Sequence, residues 1–133
     1  MDKIRIAIAT NGYNGIDDTV SNTFGKTKTF TLIDIENGKI QNIQIIENPA
    51  ADYNHGSGPI AAKTLAELNA NSVITSQLGP GASELLFHNK ITPILVDPNI
   101  KVSDAVGKIL AQLHKQPKKG TSKVAETLQE KQP

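Results

Sequence analysis

The chain opens on alternation. Residues 3–9 (Lys-Ile-Arg-Ile-Ala-Ile-Ala) repeat apolar, β-branched positions with the two-residue period of a strand. Residues 10–26, rich in Asn, Gly and Asp, break that pattern and predict a loop. Two further runs, residues 27–36 and 39–47, predict strands joined by Asn37-Gly38, a pair suited to a type I′ turn because both central positions need positive φ. Such a turn sets Glu36 opposite Lys39, Leu32 opposite Ile43 and Phe30 opposite Ile45. Ile33, Ile35, Ile40 and Ile46 then share the other face, so cover is expected on both sides of the hairpin.

After Asn48-Pro49 the period lengthens to that of a helix. Residues 59–70 carry Ile60, Ala61, Thr64, Leu65 and Leu68 on one stripe, with Ser57 or Gly58 as cap and Pro59 in the first turn. Residues 72–76 predict a short strand, 80–89 a short helix opening at Gly79-Pro80-Gly81, and 92–96 the last strand. Asp97-Pro98-Asn99 turns the chain. Ser103 caps a final helix to His114, with Val106, Ile109, Leu110 and Leu113 buried. Beyond Pro117 the composition of Lys, Gln, Glu, Thr and Ser predicts disorder. The expected organisation is one domain over residues 1–114 and a basic tail over 115–133.

The element order βββαβαβα gives an α/β fold: a mixed five-stranded sheet, its second strand antiparallel, flanked by three helices. Chain direction then locates the loops. With the first strand running up, the second runs down and the hairpin returns the third up; right-handed crossovers leave the fourth and fifth up as well. Loops 10–26, 48–58, 76–81 and 97–103 therefore gather on one edge, outside the carboxyl ends of the strands, where open α/β sheets bind ligands. Two helices begin there behind Gly58 and Gly81. Their free N–H groups and positive dipole ends favour an anion, although the glycines also suit tight turns alone.

Composition adds limits. The 133 residues contain no cysteine, which excludes disulfides and thiolate metal ligands from this chain. No segment reads as a signal peptide or a membrane span, so a cytoplasmic protein is expected. The net charge of +1 is uneven: residues 115–133 carry +3 and leave −2 on the rest. That balance predicts no specific nucleic acid and no membrane as partner.

The strand–helix order is that of the ribonuclease H-like architecture, yet nuclease chemistry needs clustered carboxylates, and neither Ile4 to Ala9 of the first strand nor Val73, Ile74 and Thr75 of the fourth offers an acid. Asp17, Asp18 and Asp52 lie in loops. No phosphate-binding Gly-x-x-x-x-Gly-Lys-Ser/Thr motif and no Gly-x-Gly-x-x-Gly follows the first strand. Ser57 lacks the flanking glycines of a nucleophile elbow and reads as a helix cap. His88 and His114 fall near helix C-termini, where a cation is favoured. His55, in the turn Asn54-His55-Gly56-Ser57-Gly58, is placed to ligate a metal or to contact an anion.

Five stretches in order bear a likeness: the Ile-Ala-Ile-Ala first strand; Val20-Ser21-Asn22-Thr23-Phe24-Gly25 followed by Phe30; Asn48; His55-Gly56-Ser57-Gly58; and Val73-Ile74-Thr75-Ser76 leading into Leu78-Gly79-Pro80-Gly81-Ala82. Over residues 3–113 the chain resembles the nitrogenase iron–molybdenum cofactor biosynthesis domain shared by NifX, NafY and the C-terminal part of NifB. The resemblance implies a ribonuclease H-like fold that is not an enzyme and that binds or carries an iron–sulfur-type cluster or cofactor precursor. Its partners would be metallocluster donor or acceptor proteins. Thr23, Gly25, His55, Gly56, Gly58, Gly79 and Gly81 become the expected cofactor-binding residues, with His55 as metal ligand. The family's second-strand motif often reads His-Phe-Gly, and here Thr23 replaces that histidine, which removes a soft-metal ligand. An anionic small molecule such as a phosphorylated metabolite or nucleotide suits the same edge, and a protein-interaction module is a further reading.

Overall fold

The computed structural model describes residues 3–115. β1 (Lys3–Thr10) leads through a loop containing a short 3-10 helix (Gly15–Asp17) to β2 (Thr29–Glu36) and β3 (Lys39–Glu47). Then come α1 (Ser57–Glu67), β4 (Ser72–Thr75), α2 (Pro80–His88), β5 (Thr92–Leu95) and α3 (Val102–Lys115). The tail read over 115–133 lies outside the described residues except for Lys115, which ends α3. Among the described residues no helix is long and apolar enough to cross a membrane.

One five-stranded sheet has the order β3-β2-β1-β4-β5. β2 is antiparallel to both its neighbours, while β1, β4 and β5 run parallel. The directions argued from the hairpin and the right-handed crossovers therefore hold. Each strand of the centre divides its side chains between two layers. Ala7, Ala9, Phe30, Leu32 and Val73 pack under α1 and α2 with Ala61, Ala62, Leu65 and Leu86. Ile6, Ile8, Ile33, Ile35 and Ile74 pack under α3 with Val102, Ala105 and Val106. The layer under α1 and α2 is alanine-rich, which lets those helices sit close to the sheet.

The Asn37-Gly38 turn takes positive φ at both positions, 56° and 77°, as the sequence requires. The register beyond it does not follow the reading from the turn. Glu36 pairs with Lys39 and Ile35 with Ile40, but Asp34 then pairs with Asn42, so Gln41 is an extra residue. This bulge shifts every later pair by one: Ile33 faces Ile43, Leu32 faces Gln44 and Phe30 faces Ile46. Ile46 accordingly packs with the α1–α2 layer and Ile40 with the α3 layer, rather than sharing one face.

The lower ends of α1 and α2 close in the same way. Asn69 (φ 62°) and Lys90 (φ 58°) are left-handed, and the following amides return to Leu65 and Leu86. Arg5 ties that end of α1 to the sheet. Its guanidinium donates to both carboxylate oxygens of Asp34 on β2, at 2.7 and 3.2 Å, and to the Leu68 carbonyl at 2.7 Å. The hydrogen bond from Arg5 holds the Asp34 carboxyl below its ordinary 3.8 against the opposing effect of burial. A depressed carboxyl contributes stability that is whole above 3.8 and is lost as pH falls through the lower folded value. Asp34→Asn should therefore cost up to about 1 kcal/mol at neutral pH, and the gap from wild type should close in acid. Urea midpoints of both proteins across that range measure it.

Candidate functional site

The four loops expected on one edge meet there through hydrogen bonds. The Ser21 amide donates to Ala9 at the end of β1 (2.8 Å), and Ser76 Oγ, after β4, donates to the Ser21 carbonyl (2.9 Å). Gln77 Nε2 donates to the Asn22 carbonyl. The Val20 amide donates to Ile100 (2.9 Å), and the Asn99 amide to Val20 (2.7 Å). The 20–26 segment, in the loop after β1, is thus tied to β1 itself and to the loops after β4 and β5.

Asn48 adds the loop after β3. It is buried, and its Nδ2 donates to the carbonyls of Gly25 and Thr27, each at 2.9 Å, while its Oδ1 accepts from the Ala50 amide at 3.0 Å. Phe24 anchors the same segment from below, its ring set edge-on to Phe30 with centroids 5.5 Å apart. Thr27 Oγ1 donates to the Thr10 carbonyl (2.8 Å). Gly25 is consequently fixed against the start of α1. A Cβ there would lie 2.6 Å from the Gly58 nitrogen and 2.8 Å from its Cα. Only glycine permits that approach.

α1 and α2 then start side by side. A Cβ on Gly81 would meet Pro59 Cγ at 3.1 Å, and one on Gly58 would meet the Ala82 methyl at 3.4 Å. Between these starts and the 23–26 segment lies a cleft of about 450 Å³. Thr23, Gly25, Gly58, Gly79 and Gly81 all border it, so five of the expected residues come together. His55 and Gly56 do not line it. Gly56 (φ 76°) is the N-cap of α1, and His55 stands exposed one residue before it. The cap is therefore Gly56 rather than Ser57 or Gly58, because the left-handed turn puts Ser57 already inside the helix.

The chemistry of the lining is that of donors. The first intrahelical bonds run from Ile60 to Gly56 and from Ser83 to Gly79, so the amides of Ser57, Gly58, Gly81 and Ala82 have no partner within their helices. Neither helix has an acidic residue in its first turn or a side-chain cap, whereas α3 carries Asp104 there. Both positive dipole ends at the cleft are uncompensated. Ser57, read from the sequence only as a cap, adds a polar side chain, as do Lys26 and Gln77, which no motif distinguishes from loop residues. Among the described residues, no three His, Cys, Asp or Glu gather to hold a metal ion. Asp18 is buried and accepts from the amides of Asn14 and Thr19, a loop-fixing role, while Asp17 and Asp52 are exposed.

Fold and cleft together define an α/β domain with a glycine-opened, amide-bordered site at the carboxyl ends of its strands. The chain belongs to the dinitrogenase iron-molybdenum cofactor family, whose signature matches residues 2–112. An uncharacterized protein of Methanocaldococcus jannaschii, MJ0580, is 38% identical over 66 residues, which take in 50% of this chain and 56% of the relative. The apo form of the orange protein from Desulfovibrio gigas is similar over 80% of this chain and 87% of its own, at 29% identity and a TM-score of 0.73. A Thermotoga protein of the DUF35 family, TM1290, is similar over 80% and 86%, at 27% identity and a TM-score of 0.65.

The glycine contacts make a paired prediction. Gly25→Ala must displace backbone and should destabilise by about 1–3 kcal/mol. Gly79→Ala, where nothing lies within 4 Å of the added carbon, should change stability little. Asn48→Ala leaves two carbonyls without their donor and should cost about 2–4 kcal/mol. Chemical denaturation of the three variants decides the ranking.

Proposed function

We propose that this protein is a non-catalytic carrier for an anionic metallocluster, or a precursor of one, in iron–molybdenum cofactor biosynthesis. The observation behind the reading is the cleft lining: two helix starts without side-chain caps or acidic residues, and no thiol, imidazole or carboxylate. Such a lining does not fit a cluster that needs protein ligands. It fits one that arrives with its own ligand shell, whose sulfur or oxygen atoms accept hydrogen bonds from amides. Family membership supplies the class of cargo. Proteins that donate and accept the cluster are the partners this reading implies.

The topology supports a ribonuclease H-like frame used without nuclease chemistry. β1 and β4 present no carboxylate to the cleft edge. Thr23, in the position where the family often has histidine, borders the cleft, so the holding role passes to amides rather than to a ligand at that site. His55, outside the lining, is proposed as a rim residue that the bound state does not require. A phosphorylated metabolite or nucleotide would use the same donors.

The test is anaerobic loading of the full chain with a synthetic thiolate-capped four-iron four-sulfur cluster, followed by gel filtration. Charge-transfer absorbance should travel with the protein, and His55→Ala should keep it. Gly79→Asp supplies the missing cap of α2, so it should raise stability by about a few tenths of a kcal/mol while occupying an amide and adding negative charge at the cleft. Retained absorbance should then fall about tenfold. Absorbance that never co-elutes with wild type sinks the carrier reading. A thermal shift with nucleotides or sugar phosphates, worth about 2.7 kcal/mol at a hundredfold excess over Kd, would put the metabolite in its place.

A further inference from the structure

The geometry points to Lys26 as the residue that selects the cargo by charge; this rests on the carrier reading of the cleft. Of the residues bordering the cleft, Lys26 alone has an ionisable side chain. No carboxylate neutralises it: the ion pairs among the described residues are Arg5 with Asp34 and His88 with Glu84. Its ammonium donates instead to the backbone carbonyl of Tyr53, in the loop between β3 and α1. That bond uses one of three N–H donors and leaves the positive charge intact.

The base of the side chain is well fixed. Lys26 stands between Gly25, whose carbonyl is held by Asn48, and Thr27, which is buried and donates its amide to Phe24 at 3.2 Å. The neighbouring cation, Lys28, is engaged elsewhere, 5.6 Å from the Tyr13 ring centre, and does not border the cleft. The site thus combines short-range donors with one localised charge. Amides hydrogen-bond to any acceptor that fits, neutral or charged. An ammonium adds a Coulomb term that grows with the charge of the cargo and is weakened by salt. Lys26 therefore separates an anionic cluster from a neutral complex of the same shape, through a charge at the cleft border that its bond to Tyr53 leaves intact.

The experiment compares full-length wild type, Lys26→Met and Lys26→Arg, loaded anaerobically with the same synthetic cluster dianion over a series of salt concentrations. Wild-type affinity should fall as salt rises. Lys26→Met should bind about tenfold more weakly at low salt and show a flatter salt dependence; Lys26→Arg should restore both. Salt dependence is the deciding readout, since loss of the Tyr53 contact alone would lower affinity without changing it. If Lys26→Met matches wild type in affinity and salt dependence, Lys26 does not select charge and the carrier reading stands. If Lys26→Arg behaves as the methionine variant does, shape and not charge is at work, and the inference is overturned. If wild type holds no cluster, the carrier reading falls and takes this inference with it.

Discussion

The site depends on one close approach, that of the Gly25 backbone to the first turn of α1. The space between them is smaller than a methyl group requires, since a Cβ on Gly25 would stand 2.6 Å from the Gly58 nitrogen. Asn48 holds Gly25 in that place by bonding its carbonyl, and the alanines at 61 and 62 let α1 lie low on the sheet. With α1 seated there, Pro59 comes against Gly81 and Gly58 against Ala82, so α2 starts beside it. A larger residue at 25 would push α1 outward and change the cleft, although it touches α2 nowhere.

Setting two helix starts side by side has an electrostatic cost. Each presents a partial positive charge, and Lys26 adds a whole one nearby. The chain places no compensating acid in the first turn of either helix, yet does so at α3 with Asp104. Fold stability alone would favour an Asp or Ser at position 79, where a side chain has room and a cap is missing. A structural account of the glycines explains the tight packing at 25 and 81. It does not explain position 79, where glycine is sterically unnecessary.

Much of this was legible in the residues. Alternation gave the strands, Asn37-Gly38 gave the turn, and the hairpin with right-handed crossovers gave directions that gathered four loops on one edge. The hairpin register was not legible, because the bulge at Gln41 carries no turn residue or proline to mark it; Gln41 looks like any polar residue on an edge strand. The cap of α1 was misplaced because Gly56, Ser57 and Gly58 are each acceptable caps, and only the backbone at Gly56 decides among them. His55 drew notice by residue type, whereas the cleft is defined by backbone amides, which sequence motifs scarcely record. Lys26 was hidden for the opposite reason, as one of many surface lysines.

Backbone donors also bear on how a carrier would work. A cluster bonded to a protein histidine or cysteine leaves only when that coordination bond is exchanged for another. A cluster held by amides and one ammonium leaves by separating from hydrogen-bond donors, with its own ligands intact. Each such contact is weak alone, and they act together only while the two helix starts and the 23–26 segment keep their spacing. Release would then be a matter of geometry: a shift of Gly25 away from α1 would loosen the whole set at once. In the proposed role, threonine at position 23 follows from that logic, since an imidazole there would add a bond that a hand-over must break.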